Sequence, residues 1–300
     1  MTTPRYCPKG STYFISKRCW TGLRLLSPLP GVNQAFGYCL ALATERCGIK
    51  LHGFIVMSNH WHGLVTDPEG RIDEFLCLLH SLVARTVNQL RERTDGLWSR
   101  RPTSLVRLET ADSIMRSLTY LYTNPVAAEL TRTGRAWPGL RGVVGVPGAH
   151  SGIQTRPKRF FQRDGPCPER ARLSLTFPRA FVDDEASFCE KLRESIEARQ
   201  SEIQARLKAE GRPFLGATAV RRQRWDGRSR KQPKRSRLSP TVASRDTEHR
   251  IHMLVQRAIF LQRYREAMSA WQSGQNPVVF PDGTVQMRRF PGVLIRAPDA

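Results

Sequence analysis

Two histidines separated by a single residue are the side chains best suited to chemistry in this sequence: His60 and His62, within Ser58–His62 (SNHWH). In a β-strand, residues i and i+2 share a face, so both imidazoles would point the same way and could hold one metal ion. Trp61 would then point to the opposite face and pack in the core. A pair at this spacing also arises by chance, and a third ligand must come from elsewhere. We expect His52 and His80 to be structural or surface histidines.

A second chemically capable group lies in Thr119–Pro125 (TYLYTNP). Tyr120 and Asn124 are four residues apart and would share one face of a helix. A tyrosine can act as a covalent nucleophile if a metal ion or a base lowers the cost of forming its phenolate, because its ordinary pKa is near 10. Taken alone, a tyrosine in a helix is more often a core residue.

Elements that could position these groups alternate along the first half of the chain. The apolar patterns predict strands over 11–20 and 104–108, a strand-rich stretch over 49–65, and helices over 33–47, 72–93 and 111–130. Pro125 makes the end of the last helix uncertain from the sequence. This order indicates an α+β fold in which a small antiparallel sheet carries helices on one face.

The motif SNHWH, followed by a helix and then by YLYTNPV, resembles the HUH-type single-tyrosine transposases. The likeness is stronger to the REP-associated tyrosine transposases, whose motifs look like MPNHVH and Y-x-x-x-NPV. YFISKR, ARTVN and LWSRR add to the resemblance, which covers residues 11–140. Two departures stand out: Trp61 is bulkier than the usual aliphatic residue, and Ser58 replaces the common proline.

The resemblance implies a ferredoxin-like (RRM-like) split βαβ catalytic domain with an antiparallel sheet. It implies that His60, His62 and Asn124 bind a divalent metal, Mg or Mn, although two imidazoles alone favour Zn, Mn or Ni over Mg. It implies that Tyr120 nicks and rejoins single-stranded, hairpin-bearing DNA of the REP-element type through a 5′-phosphotyrosine intermediate, as in DNA transposition and recombination. Tyr122 is the alternative nucleophile, but a helix turns it about 200° away from Tyr120.

The charge favours a polyanionic partner. Lys and Arg number 48 against 26 Asp and Glu, a formal net charge of +22, which fits nucleic acid or an anionic membrane surface. No apolar run reaches the roughly 18–20 residues that span a bilayer, and the first residues lack the apolar core of a secretory signal. Seven cysteines without a C-x-x-C pair fit reduced thiols. These features predict a cytoplasmic protein with no membrane partner, and the resemblance implies a bacterial, nucleoid-associated one.

The second half of the chain is expected to be a separate basic, mainly helical region. The predicted organisation is a catalytic domain over 1–140, a linker or irregular segment over 141–172, and a basic region over 173–300. That region would contain two long helices, over 183–210 and 245–271, and a terminal hairpin over 278–290.

Nine basic residues and one acid lie between Arg221 and Arg237. This run is typical of a flexible arm that neutralises phosphates, with a tryptophan able to stack on a base. A solvated charge run is the alternative interpretation. The candidate nucleic-acid contacts are Arg221, Arg222, Arg224, Trp225, Arg228, Arg230, Lys231, Lys234, Arg235 and Arg237.

Three functional hypotheses follow from these features. The first is the transposase-type enzyme, acting as a monomer or a homodimer. The second is a domesticated, non-catalytic DNA- or RNA-binding protein, which the charge fits equally well but which does not need the histidine pair and Tyr120. The third is a basic structural protein of ribosome or nucleoid type, which leaves the histidine strand unexplained.

Overall fold

A computed structural model describes residues 3–162, 164–228 and 240–297. Its largest sheet is mixed and has six strands. Its strands are β1 (Thr12–Arg18), β2 (Lys50–Met57), β3 (His60–Thr66), β4 (Ser104–Leu108), β5 (Arg141–Val143) and β8 (Val242–Ala243). They lie in the order β5-β2-β3-β1-β4-β8. All neighbours are antiparallel except β8, which runs parallel to β4. The sheet is therefore antiparallel, as predicted, except at this one edge.

The described residues also form six α-helices. They are α1 (Pro30–Cys47), α2 (Ile72–Leu90), α3 (Ala111–Ala127), α4 (Glu185–Ala209), α5 (Ala217–Arg222) and α6 (Thr247–Gln272). The ends of the first two follow local chemistry. Pro30 occupies the start of α1, where its missing N–H costs nothing, and Gly48 ends the helix in the left-handed region. The Asp67 carboxylate accepts hydrogen bonds from the backbone N–H groups of Arg71 and Ile72, which anchors the start of α2.

Helices cover both faces of the sheet, so the prediction of helices on one face was wrong. On one face, α1 and α2 pack against Trp61 and Val65 of β3. On the other, α3 and α4 pack against Ile55 of β2 and Leu64 of β3. All residues of β2 from Leu51 to Met57 are buried, which is the pattern of a strand covered on both sides.

The segment 141–172 contains regular structure where the composition predicts a linker or irregular chain. Its first three residues form β5, which pairs with β2 in the central sheet. Further along, β6 (Gly152–Thr155) and β7 (Arg170–Leu173) form an antiparallel pair. The Tyr38 hydroxyl of α1 donates to the Pro168 carbonyl, which ties this pair to the central body. The strands are three to four residues long, too short to show an alternating pattern among the surrounding glycines and prolines.

Both long helices of the second half are confirmed, as α4 and α6. Asp184 and Asp246 cap them by accepting hydrogen bonds from the N–H groups of Ser187 and His249. The terminal hairpin was wrong: β9 (Val278–Phe280) and β10 (Val293–Ile295) pair in parallel. Residues 281–292 form the crossover that parallel pairing requires. Within the described ranges, no helix combines the length and apolarity needed to cross a bilayer.

The packing of Trp61 gives a stability prediction. A Cβ at Gly63 would lie 2.7 Å from the Trp61 ring, whereas one at Gly31 in α1 would meet Leu90 at an ordinary 3.6 Å. We expect Gly63→Ala to lower the free energy of unfolding by about 1–3 kcal/mol through overpacking. Gly31→Ala, the matched control, should change it by less than about 1 kcal/mol. Urea unfolding measures both, and equal stabilities would contradict the packing described.

Candidate active site

The two predicted histidines lie side by side at the start of β3. A two-residue turn at Ser58 and Asn59 joins β2 to β3, and the carbonyls of both turn residues accept backbone hydrogen bonds from Leu26 and Cys19. This fixes the tip of the hairpin. The ring centroids of His60 and His62 are 4.8 Å apart, so the strand alternation brings the imidazoles together as the spacing predicts.

Trp61 points to the opposite face, which confirms the prediction for it. It is fully buried and packs edge-on against Phe36 of α1. Its Nε1 donates to Nε2 of His80 at 3.1 Å, so His80 has the structural role expected of it. His52 is structural too, because its ring nitrogens contact the Thr176 carbonyl and the Thr66 hydroxyl.

Tyr120 faces the same site from α3. Its ring centroid is 5.5 Å from that of His62, and its hydroxyl is hydrogen-bonded to the Asn124 side chain one helical turn later. Tyr120 remains 46% exposed, so a substrate can reach it. The structure therefore brings Tyr120 to the histidine pair, with Asn124 beside the tyrosine.

Tyr122 lies elsewhere. It is only 9% exposed and belongs to the apolar cluster between the sheet and α4. The Arg141 guanidinium lies 5.6 Å from its ring centroid, and Gly134 packs against the ring. The helical rotation between the two tyrosines thus separates an exposed phenol at the histidines from a buried one. The role of Tyr120 as nucleophile stays a prediction.

The helix continues through Pro125, although a proline there would normally interrupt it. Pro125 lies in the last turn of α3, which ends at Ala127. Proline lacks the N–H that would bond to the carbonyl of residue 121, and it disfavours helical geometry at the residue before it. Asn124 stays helical all the same, which keeps its side chain on the Tyr120 face. At the other end, Thr110 caps the helix through Ser113.

Burial keeps both imidazoles neutral. It lowers the pKa of His60 well below the usual value, with the neighbouring His62 and Arg18 adding to the shift. It lowers the pKa of His62 to about 4, against the opposing effect of the Ile15 carbonyl. At neutral pH both rings therefore carry a free lone pair, which is the form that binds a metal ion.

The phenol of Tyr120 is held in its protonated form. Burial raises its pKa, while the hydrogen bond from Asn124 and the positive charge of Arg18 act in the opposite direction. The chain therefore partly offsets the cost of forming the phenolate, and a further positive charge beside the oxygen would lower it more.

The donor set at this site suits a divalent cation that keeps open coordination positions. Nδ1 of His60 contacts the Asn59 side-chain oxygen at 2.7 Å, which orients the ring and leaves Nε2 available. Nδ1 of His62 is buried and makes no hydrogen bond of good geometry. Among the described residues, no group of three or more His, Cys, Asp or Glu could hold a metal. The chain thus offers two imidazoles and the Asn124 amide oxygen.

Two side chains of β1 belong to this site and were missed at the sequence level. Phe14 stacks on His62 with ring centroids 5.2 Å apart and meets the Tyr120 ring edge-on at 5.8 Å. Arg18 is paired with His60 across the two strands. Phe14, Ser16 and Arg18 recur at every second residue, and this period could have placed them on one face.

The basic run is partly docked on the body of the protein. Arg221 and Arg222 end α5, and Arg224 pairs with Asp226 at 2.7 Å. The Arg93 guanidinium lies 5.4 Å from the Trp225 ring centroid, and Arg24 donates to the Arg228 carbonyl.

These contacts differ from the flexible arm predicted for this stretch, because Arg93 occupies one face of the tryptophan. The remaining predicted contacts lie outside the described residues: Arg230, Lys231, Lys234, Arg235 and Arg237.

Comparison with known proteins gives structural likenesses only. No protein-family model matches the chain, and no curated protein matches it. The chain is similar to the structure of a REP-associated tyrosine transposase bound to a REP hairpin, with 19% identity and a TM-score of 0.39 over 46% of this chain and 81% of that one. It is also similar to the crystal structure of a candidate transposase from Deinococcus radiodurans R1, with 16% identity and a TM-score of 0.29 over 40% of this chain and 95% of that one.

Proposed function

We propose that this protein is an HUH-type, metal-dependent endonuclease and transposase that nicks and rejoins single-stranded, hairpin-bearing DNA. The observation that carries the proposal is geometric: the His62 ring lies 4.8 Å from the His60 ring and 5.5 Å from the ring of the exposed Tyr120, measured between centroids. Asn124 joins them through its hydrogen bond to Tyr120. A protein that only binds nucleic acid needs none of these arrangements.

The topology supports a ferredoxin-like split βαβ fold for the catalytic part. The elements follow one another as β1-α1-β2-β3-α2-β4, and the four strands lie in the spatial order β2-β3-β1-β4. Strand β3 is antiparallel to both β1 and β2, so β1 and β2 run in the same direction with β3 between them. In a split βαβ unit the two parallel strands are separated by a third strand, so this order and these directions support the proposed fold.

The reaction that this geometry favours is attack by the Tyr120 oxygen on a backbone phosphorus. The new bond joins the phenolic oxygen to phosphorus, and the bond from phosphorus to the 3′-oxygen breaks. The phenolic proton leaves to solvent, and the departing 3′-oxygen takes up a proton. The product is a 5′-phosphotyrosine with a free 3′-hydroxyl. Attack by a 3′-hydroxyl on the same phosphorus rejoins DNA and restores Tyr120, so no nucleotide cofactor is needed.

His60, His62 and Asn124 would hold the metal ion. An Mg or Mn ion held there would polarise the scissile phosphate and stabilise negative charge on its oxygens. Trp61 holds the strand from the opposite face, which keeps the imidazoles in place, and Phe14 excludes water from one side of His62. Arg18 adds a fixed positive charge near the attacking oxygen.

Replacing the two tyrosines separately tests the nucleophile. Incubation of a labelled hairpin oligonucleotide with the protein and Mn or Mg should give an adduct that survives SDS. Tyr120→Phe should abolish it, because the attacking oxygen is lost, whereas Tyr122→Phe should retain it within about threefold, because that ring lies in the core. Survival of the adduct in Tyr120→Phe together with its loss in Tyr122→Phe would reverse the assignment.

Removing one imidazole tests the metal site. We expect His60→Ala to weaken Mn binding, measured by calorimetry without DNA, by about tenfold or more, since the remaining donors cannot replace a direct ligand. His252→Ala is the matched control, because His252 is exposed on α6, and its affinity should equal that of the parent protein. Unchanged Mn affinity in His60→Ala would remove this histidine from the metal site.

A further inference from the structure

A groove opens beside Tyr120, between α3 and the segment that leads into α6. It encloses about 340 Å³, which lies in the range of small-ligand pockets. Phe14, Leu108, Val242 and Ala243 give it an apolar floor next to the Tyr120 ring, and Arg116, Arg245 and Arg250 line it with positive charge. Two of these arginines and half of the floor come from the C-terminal part of the chain, beyond the catalytic elements.

Specific contacts fix this C-terminal wall to the catalytic sheet. Strand β8 pairs with β4, and the Arg107 N–H donates to the Thr241 carbonyl at 2.9 Å. The Arg107 guanidinium, buried, donates to the Gln256 side chain of α6 at 2.9 Å. His249 of α6 contacts the Glu109 carboxylate at 3.0 Å. Hydrogen bonds and side-chain contacts at the edge of the sheet therefore hold the C-terminal wall of the groove in place.

The three arginines of the groove differ in whether they form an ion pair with an acidic side chain. Arg116 forms an ion pair with Asp112 at 2.7 Å. Arg250 donates instead to the Ser244 carbonyl and the Thr247 hydroxyl, neither of which carries a charge. Arg245 is exposed. None of the described residues that line the groove is acidic. Arg245 and Arg250 therefore bring positive charge to the groove that Tyr120 also lines.

Basic walls over an apolar, partly aromatic floor suit one kind of ligand. Phosphates of a single strand pair with arginines, while unpaired bases lie on apolar and aromatic surfaces. In a duplex the bases face each other and cannot reach such a floor. A small anion would use the arginines and leave Phe14 and Val242 uncovered.

We propose that this groove binds the single-stranded DNA that flanks the scissile phosphate, with Arg245 and Arg250 on its backbone and Phe14 and Val242 under an unpaired base. The inference rests on the proposed function for the identity of the strand. It assigns a DNA contact to the C-terminal region that is distinct from the run Arg221–Arg237. It also gives that region a role in holding substrate at Tyr120.

The test compares two charge-neutralised variants in fluorescence-anisotropy titrations of a labelled single strand across a salt series. Arg245→Gln combined with Arg250→Gln should weaken binding about tenfold. It should also reduce the slope of log affinity against log salt by about 1.4, since each phosphate contact of a single strand contributes roughly 0.7. Arg265→Gln is the control, because Arg265 is exposed farther along α6; its affinity should fall less than twofold. A double variant that matches the control would overturn the proposal.

A second variant guards against misfolding of the first. Ser117→Glu places a negative charge in the groove from α3 without removing an arginine, and it should also weaken single-strand binding. Unchanged binding in this variant, or equal losses for a fully paired duplex, would contradict the groove assignment. The adduct assay separates the two claims. Absence of any adduct in the parent protein would refute the enzyme, while a loss of single-strand affinity specific to the groove variants would still support the groove.

Discussion

The alternation of side chains along β3 is the constraint on which the site depends. A strand sends residues 60 and 62 to one face and residue 61 to the other. The buried Trp61 fills the space between sheet and helices, and its packing on Phe36 and hydrogen bond to His80 fix the strand in register. A slip of one residue would turn the histidines into the apolar cluster beneath α1 and α2 and place the tryptophan on the face of Tyr120. The core therefore sets the geometry of the imidazoles.

The helix that carries Tyr120 makes the same kind of division. Tyr120 lies at the histidines, while Tyr122 and Leu121 lie in the core against the sheet and α4. Buried residues on β3 and α3 thus hold the histidine side of the strand next to the Tyr120 side of the helix. Desolvation has a cost, since it raises the pKa of Tyr120. Desolvation also keeps the imidazoles neutral, and it strengthens the electrostatic interaction with any charged group beside them.

Local patterns in the sequence were enough to predict most of the strands and helices in the first half of the chain. The period of two placed His60, His62 and Trp61, and the helical period placed Tyr120 with Asn124 and away from Tyr122. The sequence could not show that β5 and β8 extend the sheet, because strands of two or three residues have no readable period and their partners lie far along the chain. The parallel pairing of β9 and β10 was missed for a related reason, since a short gap favours a hairpin. The sequence alone could not show that Arg245 and Arg250 line the same groove as Tyr120, because that depends on the pairing of β8 with β4.

The most direct test of the account is the position of the covalent bond. Trypsin and nuclease digestion of the DNA adduct should leave nucleotide mass on the peptide of residues 117–132, which contains both tyrosines. Fragmentation by tandem mass spectrometry then separates Tyr120 from Tyr122. The account predicts a phosphonucleotide on Tyr120 alone. A modification on Tyr122, or on a peptide outside this helix, would contradict it.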